Sequence, residues 1–157
     1  TAPNQGTRLA IWLPVVPAPD EGAAAREPSP QVEQGSGLIL VVEDQDEVRR
    51  FTRQMLQNLG YTVVSCGRPS QAMAMLQDEP KVQPDLLLVD VIMPEMSGPE
   101  LVARLHESQP DLRVLYMSAY SEGALRDQAN CAADCPLLLK PFTLAEVARQ
   151  VKLALGH

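Results

Sequence analysis

The sequence has no surplus of basic residues. Thirteen Lys and Arg stand against 20 Asp and Glu, a formal net charge of −7, whereas a chain that grips nucleic acid needs a basic face. It also has no apolar run near the roughly 20 residues that cross a bilayer, and its start carries no signal-peptide pattern. Direct nucleic-acid binding and membrane contact by this segment are therefore not expected. Cysteine is scarce and odd in number: Cys66, Cys131 and Cys135. The last two form C-x-x-x-C, neither a redox C-x-x-C nor a zinc pair, so free thiols in a reducing compartment are expected.

What is present is enough apolar residue (45%) for one buried core and a tail. The acidity is uneven in its placement. Residues 1–36 carry Arg8 and Arg26 against Asp20, Glu21, Glu27 and Glu33, a net of −2, so −5 of the −7 falls on residues 37–157. An acidic pocket that recruits a divalent cation fits this balance, and so does plain solubility.

Near the start, Leu9, Ile11 and Leu13 alternate with Ala10 and Trp12, the period of a strand. One strand cannot fold alone, so residues 1–14 read as a piece of another sheet. Pro14, Pro17, Pro19, Pro28 and Pro30 follow within a Pro-, Ala- and Glu-rich stretch, which makes residues 15–36 a linker, closed by the hinge-like Gly35-Ser36-Gly37.

Residues 37–157 alternate between two periods. Leu38–Val42, Thr62–Val64, Leu86–Val89, Leu112–Met117 and Leu137–Leu139 are short apolar runs of strand type. Between and after them come helical spacings. Val48, Phe51, Met55, Leu56 and Leu59 form the first, stopped by Gly60; Ala72, Met73 and Leu76 form the second, before Pro80. Leu101, Val102 and Leu105 follow the capping-box pair Ser97 and Glu100. A weak fourth helix over about 122–130 rests on Ala124, Leu125 and Ala129. The last helix opens with Thr143 and Glu146 and offers Leu144, Val147, Val151 and Leu155 to the core. Five strands alternating with helices predict an α/β fold: a doubly wound, flavodoxin-like parallel sheet of order 2-1-3-4-5.

In such sheets ligands bind beyond the carboxyl ends of the strands, where strand order reverses. Glu43 and Asp44 follow the first strand, Asp90 ends the third, Ser118 follows the fourth and Lys140 the fifth. Singly these residues say little: Asp44 reads equally as a helix cap, Lys140 as an exposed lysine. Their coincidence at matching strand ends points to a site. Converging carboxylates repel one another unless a cation intervenes, and Mg²⁺ suits an all-oxygen set. Asp90 could then attack phosphorus as aspartyl-phosphate enzymes do, with Lys140 and the Ser118 hydroxyl facing the phosphoryl oxygens and the small Ala119 leaving room.

Leu40-Val41-Val42-Glu43-Asp44, Leu88-Val89-Asp90-Val91-Ile92-Met93-Pro94 through Gly98, Met117-Ser118-Ala119 and Leu139-Lys140-Pro141-Phe142 together resemble the signature of response-regulator receiver domains over residues 37–157. The resemblance implies Asp90 as phosphoacceptor, Mg²⁺ held by Glu43, Asp44, Asp90 and the Ile92 backbone carbonyl, and Ser118, Ala119 and Lys140 at the phosphoryl group. It also implies a cis peptide between Lys140 and Pro141. The family takes phosphate from a histidine, so a histidine kinase core or a histidine phosphotransfer protein is the implied partner. The domain itself catalyses only its own phosphorylation and dephosphorylation. Gly6-Thr7-Arg8-Leu9-Ala10-Ile11-Trp12-Leu13-Pro14 resembles the last strand of a histidine-kinase ATP-binding domain, which implies a hybrid kinase as parent. A cytoplasmic location follows, with any membrane anchor in an N-terminal region outside this sequence.

Two departures from the pattern matter. Leu137 stands where the family often has an aromatic switch residue, with Tyr116 and Tyr120 nearby. Ile92 and Tyr120 occupy positions that govern water access and carry no group to orient water, so slow hydrolysis of the acyl phosphate is expected. A receiver-like interaction module without chemistry is the alternative, opposed by the complete set of site residues. A flavodoxin-like cofactor binder is opposed by Glu43-Asp44, which stand where a phosphate loop would be. With only Gly156 and His157 after the last helix, output is expected through a partner, at the weak fourth helix and its neighbouring strands.

Overall fold

The computed structural model describes residues 35–77, 82–119 and 136–156. The expected fourth helix, the strand over residues 9–13, Cys131, Cys135 and Tyr120 lie outside them. Within them the elements run β1 (Leu38–Val42), α1 (Asp46–Asn58), β2 (Thr62–Cys66), α2 (Pro69–Gln77), β3 (Leu86–Asp90), α3 (Gly98–Ser108), β4 (Val114–Ser118), β5 (Leu137–Leu139) and α4 (Leu144–Leu155).

All neighbouring strands pair parallel, in the order β2-β1-β3-β4-β5. The central strands are covered on both faces, which is why β1 and β3 need continuous apolar runs; every residue of β3 is buried. Alternation along the strands divides the core in two. Ile39, Val41, Leu86 and Leu88 pack with Leu56 of α1 and Val147, Val151 and Leu155 of α4. Leu40, Val42, Leu87 and Val89 pack with Ala72 and Leu76 of α2 and Leu101 and Leu105 of α3. Strand order reverses at β1 and β3, which lie side by side with Val42 opposite Val89. The residues just beyond them therefore share one edge.

Two residues assigned to the core by spacing face outward. Phe51 is 54% exposed, because α1 turns Thr52 and Leu56 inward and leaves Phe51 at the rim of the stripe. Leu144, in the first turn of α4, is 38% exposed. Cys66 is buried, and burial pushes its thiol up to about 11, as an inert core thiol. Gly60 takes φ 94° after α1, a conformation open to glycine. Gly35 and Gly37 are fastened by backbone bonds to Leu59 and Thr62 rather than hanging free as a hinge.

Both expected capping boxes are present, Ser97 with Glu100 on α3 and Thr143 with Glu146 on α4. Bonds from the Ser97 hydroxyl and backbone hold Glu100 below its ordinary 4.5. A depressed folded value stabilises above the unfolded value and loses that effect as pH falls through the folded one. Ser97→Ala is expected to cost about 1 kcal/mol near neutral pH. Thermal unfolding should show the gap from wild type narrowing well below pH 4.5.

Candidate functional site

β1 delivers Glu43 and Asp44 to the carboxyl edge, β3 delivers Asp90, β4 ends on Ser118, and Lys140 follows β5. Glu43 is fully buried, Asp90 and Ser118 nearly so. The Lys140 backbone N–H donates to the Ser118 carbonyl (2.7 Å), which brings the end of β5 against the end of β4. The Lys140–Pro141 peptide is cis. Lys140 Nζ donates to Asp90 Oδ2 (2.9 Å) and to Glu43 Oε2, and thereby joins residues from β1 and β3 through one ammonium.

One carboxylate oxygen each of Glu43, Asp44 and Asp90 lies within 4.8 Å of the others. Such crowding is unfavourable, and its electrostatics are visible. Burial raises Glu43 above the usual carboxylate range, the Lys140 bond opposes that, and the charge on Asp90 adds to the rise. For Lys140, burial alone would lower the value, but the bonds and charges of Glu43 and Asp90 outweigh it and hold the ammonium above its ordinary value. One lysine facing two carboxylates, with a third acid adjacent, leaves the cluster short of positive charge.

Asp44 provides the test of whether a cation belongs here. It is not the helix cap that its position allowed: the N-cap of α1 is Gln45. Its Oδ1 is buried and accepts no hydrogen bond. A buried carboxylate oxygen without a donor is costly unless a cation ligates it. Together with the all-oxygen donor set, this fits a hard divalent ion.

Asp90 lines a cleft of about 360 Å³ together with Gln45, Val48, Ile92, Ser118, Ala119 and Lys140. Ala119 is exposed at its mouth, and the Ile92 N–H approaches Asp90 Oδ1 at 3.4 Å. The loop after β3 is held tightly. The Gly98 N–H donates to the Val91 carbonyl (2.9 Å), and a Cβ at Gly98 would collide with the carbonyl oxygen of Asp90. Glu95 adopts a positive φ of 72° and accepts a bond from Ser70 Oγ at the start of α2 (2.9 Å). Thus Glu43, Asp44, Asp90, Ile92, Ser118, Ala119 and Lys140 gather at one edge, while Tyr120 lies outside the described residues. Gln45 and Val48 join them without having been singled out for it, since Val48 was marked only by its helical spacing.

Residues 39–152 match the response regulator receiver domain family. The chain is 35% identical over 158 residues to the sensor kinase CckA of Brucella abortus (strain 2308), which covers 95% of this chain and 16% of that protein. It is also 35% identical over 114 residues to the response regulator receiver protein CpdR of the same organism, over 73% of this chain and 92% of that one. Among solved structures, the response regulator TrrA of Thermotoga maritima in complex with Mg(2+)-BeF superposes with a TM-score of 0.63 at 27% identity, covering 74% of this chain and 97% of that one. The chain spans under a fifth of the kinase but nearly the whole of CpdR. By sequence and fold, this chain belongs to the response regulator receiver domain family of two-component systems.

Proposed function

We propose that Asp90 accepts a phosphoryl group from a phosphohistidine in a phosphorelay. The observation that carries this is the setting of Asp90: a nearly buried carboxylate at the mouth of an open cleft, paired with Lys140 and beside two further acids. In the transfer, an Asp90 carboxylate oxygen bonds to phosphorus as the P–N bond to the donor imidazole breaks, the bonding pair staying with nitrogen. Lys140 neutralises phosphoryl oxygens on one side. The Ser118 hydroxyl donates to another, and Ala119 leaves the space. Glu43, Asp44, Asp90 and the Ile92 carbonyl would hold Mg²⁺, whose charge offsets both the acids and the phosphoryl oxygens. The complex of TrrA with Mg(2+)-BeF supports that assignment.

The reading extends to partners and parentage. Beside the cleft runs a nearly apolar groove of about 490 Å³, lined by Val48, Phe51, Pro141 and Phe142 among others. With Ile92 also 51% exposed, this rim gives a histidine kinase core or a histidine phosphotransfer protein an apolar face to bury beside the acceptor. Residues 1–14 are the end of a kinase ATP-binding domain, residues 15–36 the linker and residues 37–157 the receiver. The 95% coverage of this chain by a sensor kinase supports that division. No helix among the described residues is long and apolar enough to cross a membrane.

The test is direct. Incubated with phosphoramidate and Mg²⁺, the chain should gain the mass of one phosphoryl group, and borohydride reduction should place it on Asp90. No gain by folded protein with either phosphoramidate or acetyl phosphate sinks the reading in favour of an interaction module.

A further inference from the structure

We infer that Arg49 is a positioning residue for the metal-binding acids: its guanidinium fixes the backbone of the β1–α1 turn so that Glu43 and Asp44 present their carboxylates without being neutralised by it. This rests on the proposed Mg²⁺ site, and it assigns a task to a residue that lies outside that site.

The geometry is specific. Arg49 Nη1 donates to the backbone carbonyl of Glu43 at 2.7 Å and approaches that of Asp44 at 3.4 Å, while Nη2 is ion-paired with Asp46 Oδ1. The side chain is 20% exposed, well covered for a surface-helix arginine. Gly67 on the opposing β2–α2 turn makes room for it: a Cβ there would sit 2.9 Å from Nη1. A guanidinium offers several donors in a rigid fork and can hold more than one acceptor in place, which an ammonium does less well.

The choice of acceptors is what carries the argument. A cation this close to an acidic cluster would ordinarily pair with it, as Lys140 does with Glu43 and Asp90. Arg49 spends its donors on main-chain oxygens and on Asp46, which is not a member of the cluster. The Asp44 carboxylate keeps an unpartnered Oδ1. The turn is thus braced while Asp44 Oδ1 stays available. The Glu43 N–H donates to the Cys66 carbonyl (3.2 Å) and the Gln45 N–H to Glu43 Oε1 (3.2 Å), but neither bond engages the two carbonyls that Arg49 reaches, and the N-cap residue Gln45 makes no side-chain capping bond.

Positioning and simple charge predict opposite signs. If Arg49 acted only through its positive charge, removing it would tighten Mg²⁺ binding by relieving repulsion. If it holds the turn, removal weakens binding by about 10- to 100-fold, the usual consequence of losing an outer support of metal ligands. The experiment is Mg²⁺ titration by calorimetry of wild type, Arg49→Ala, Arg49→Lys and Gly67→Ala, with thermal unfolding in chelator to verify that each is folded. We expect weakened binding in Arg49→Ala, partial recovery in Arg49→Lys, and weakening in Gly67→Ala, which displaces the guanidinium while keeping its charge. Should Arg49→Ala fail to fold, Gly67→Ala decides alone. Unchanged or tighter Mg²⁺ binding in the folded variants overturns the inference but leaves the phosphoacceptor reading standing. Wild type that binds no Mg²⁺ overturns both.

Discussion

Asp90→Asn is expected to bring phosphoryl incorporation down to the background of unreacted chain, under conditions where wild type is labelled by phosphoramidate and Mg²⁺. Asparagine keeps the size of the side chain and one oxygen that can accept from Lys140, so the ammonium between β1 and β3 retains a partner on each. What is lost is the anionic nucleophile: an amide oxygen does not form a stable bond to phosphorus, and general positioning cannot replace the attacking group. The substitution also removes one of three crowded carboxylates. Thermal stability in chelator should therefore not fall much, and relief of repulsion favours a rise. The two readouts separate chemistry from folding. A folded Asp90→Asn protein that still gains a phosphoryl group places the acceptor elsewhere. Intact-mass spectrometry before and after reaction, with unfolding curves on the same samples, reads both.

Much of this was legible in the chain because the physics is local or periodic. A strand covered on both faces has to be apolar throughout, and Leu38–Val42 and Leu86–Val89 announce themselves that way. The pairs Ser97 with Glu100 and Thr143 with Glu146 are three residues apart and found each other as expected. The acids and the lysine were legible through topology, since a doubly wound sheet brings its strand ends to one edge. What could not be read depends on neighbours far along the chain. Phe51 satisfies the helical spacing of α1 as well as Leu56 does, and only the placement of the sheet decides that one is covered and the other open. Glu95 takes a left-handed φ with no glycine or asparagine to signal it. Arg49 is one of three arginines in α1, beside Arg50 and Arg53, and nothing in its spacing marks it as the one beneath the acidic turn.

Lys140 should show the largest change in stability, and that change should depend on Mg²⁺. Its Nζ bridges Glu43, which is fully buried, and Asp90, which nearly is, while its own side chain is only 14% exposed. Removing one member of a buried ion pair leaves an uncompensated charge, at a cost on the order of 3 kcal/mol. Lys140→Met keeps most of the apolar stem and isolates that electrostatic part. The sign with pH follows from the direction of the shift. A lysine whose folded value is raised stabilises fully below its ordinary 10.5, and loses that effect only as pH climbs through the raised value. At neutral pH the whole contribution is therefore present to be lost. In chelator, Lys140→Met should unfold at a clearly lower denaturant concentration than wild type. With saturating Mg²⁺ the gap should shrink, because a divalent charge among Glu43, Asp44 and Asp90 then supplies the compensation that the ammonium gave. An equal gap with and without Mg²⁺ would mean that lysine and metal do not share the same acids, and no gap at all would mean that the attraction between the ammonium and its two acids is fully offset by the cost of burying it.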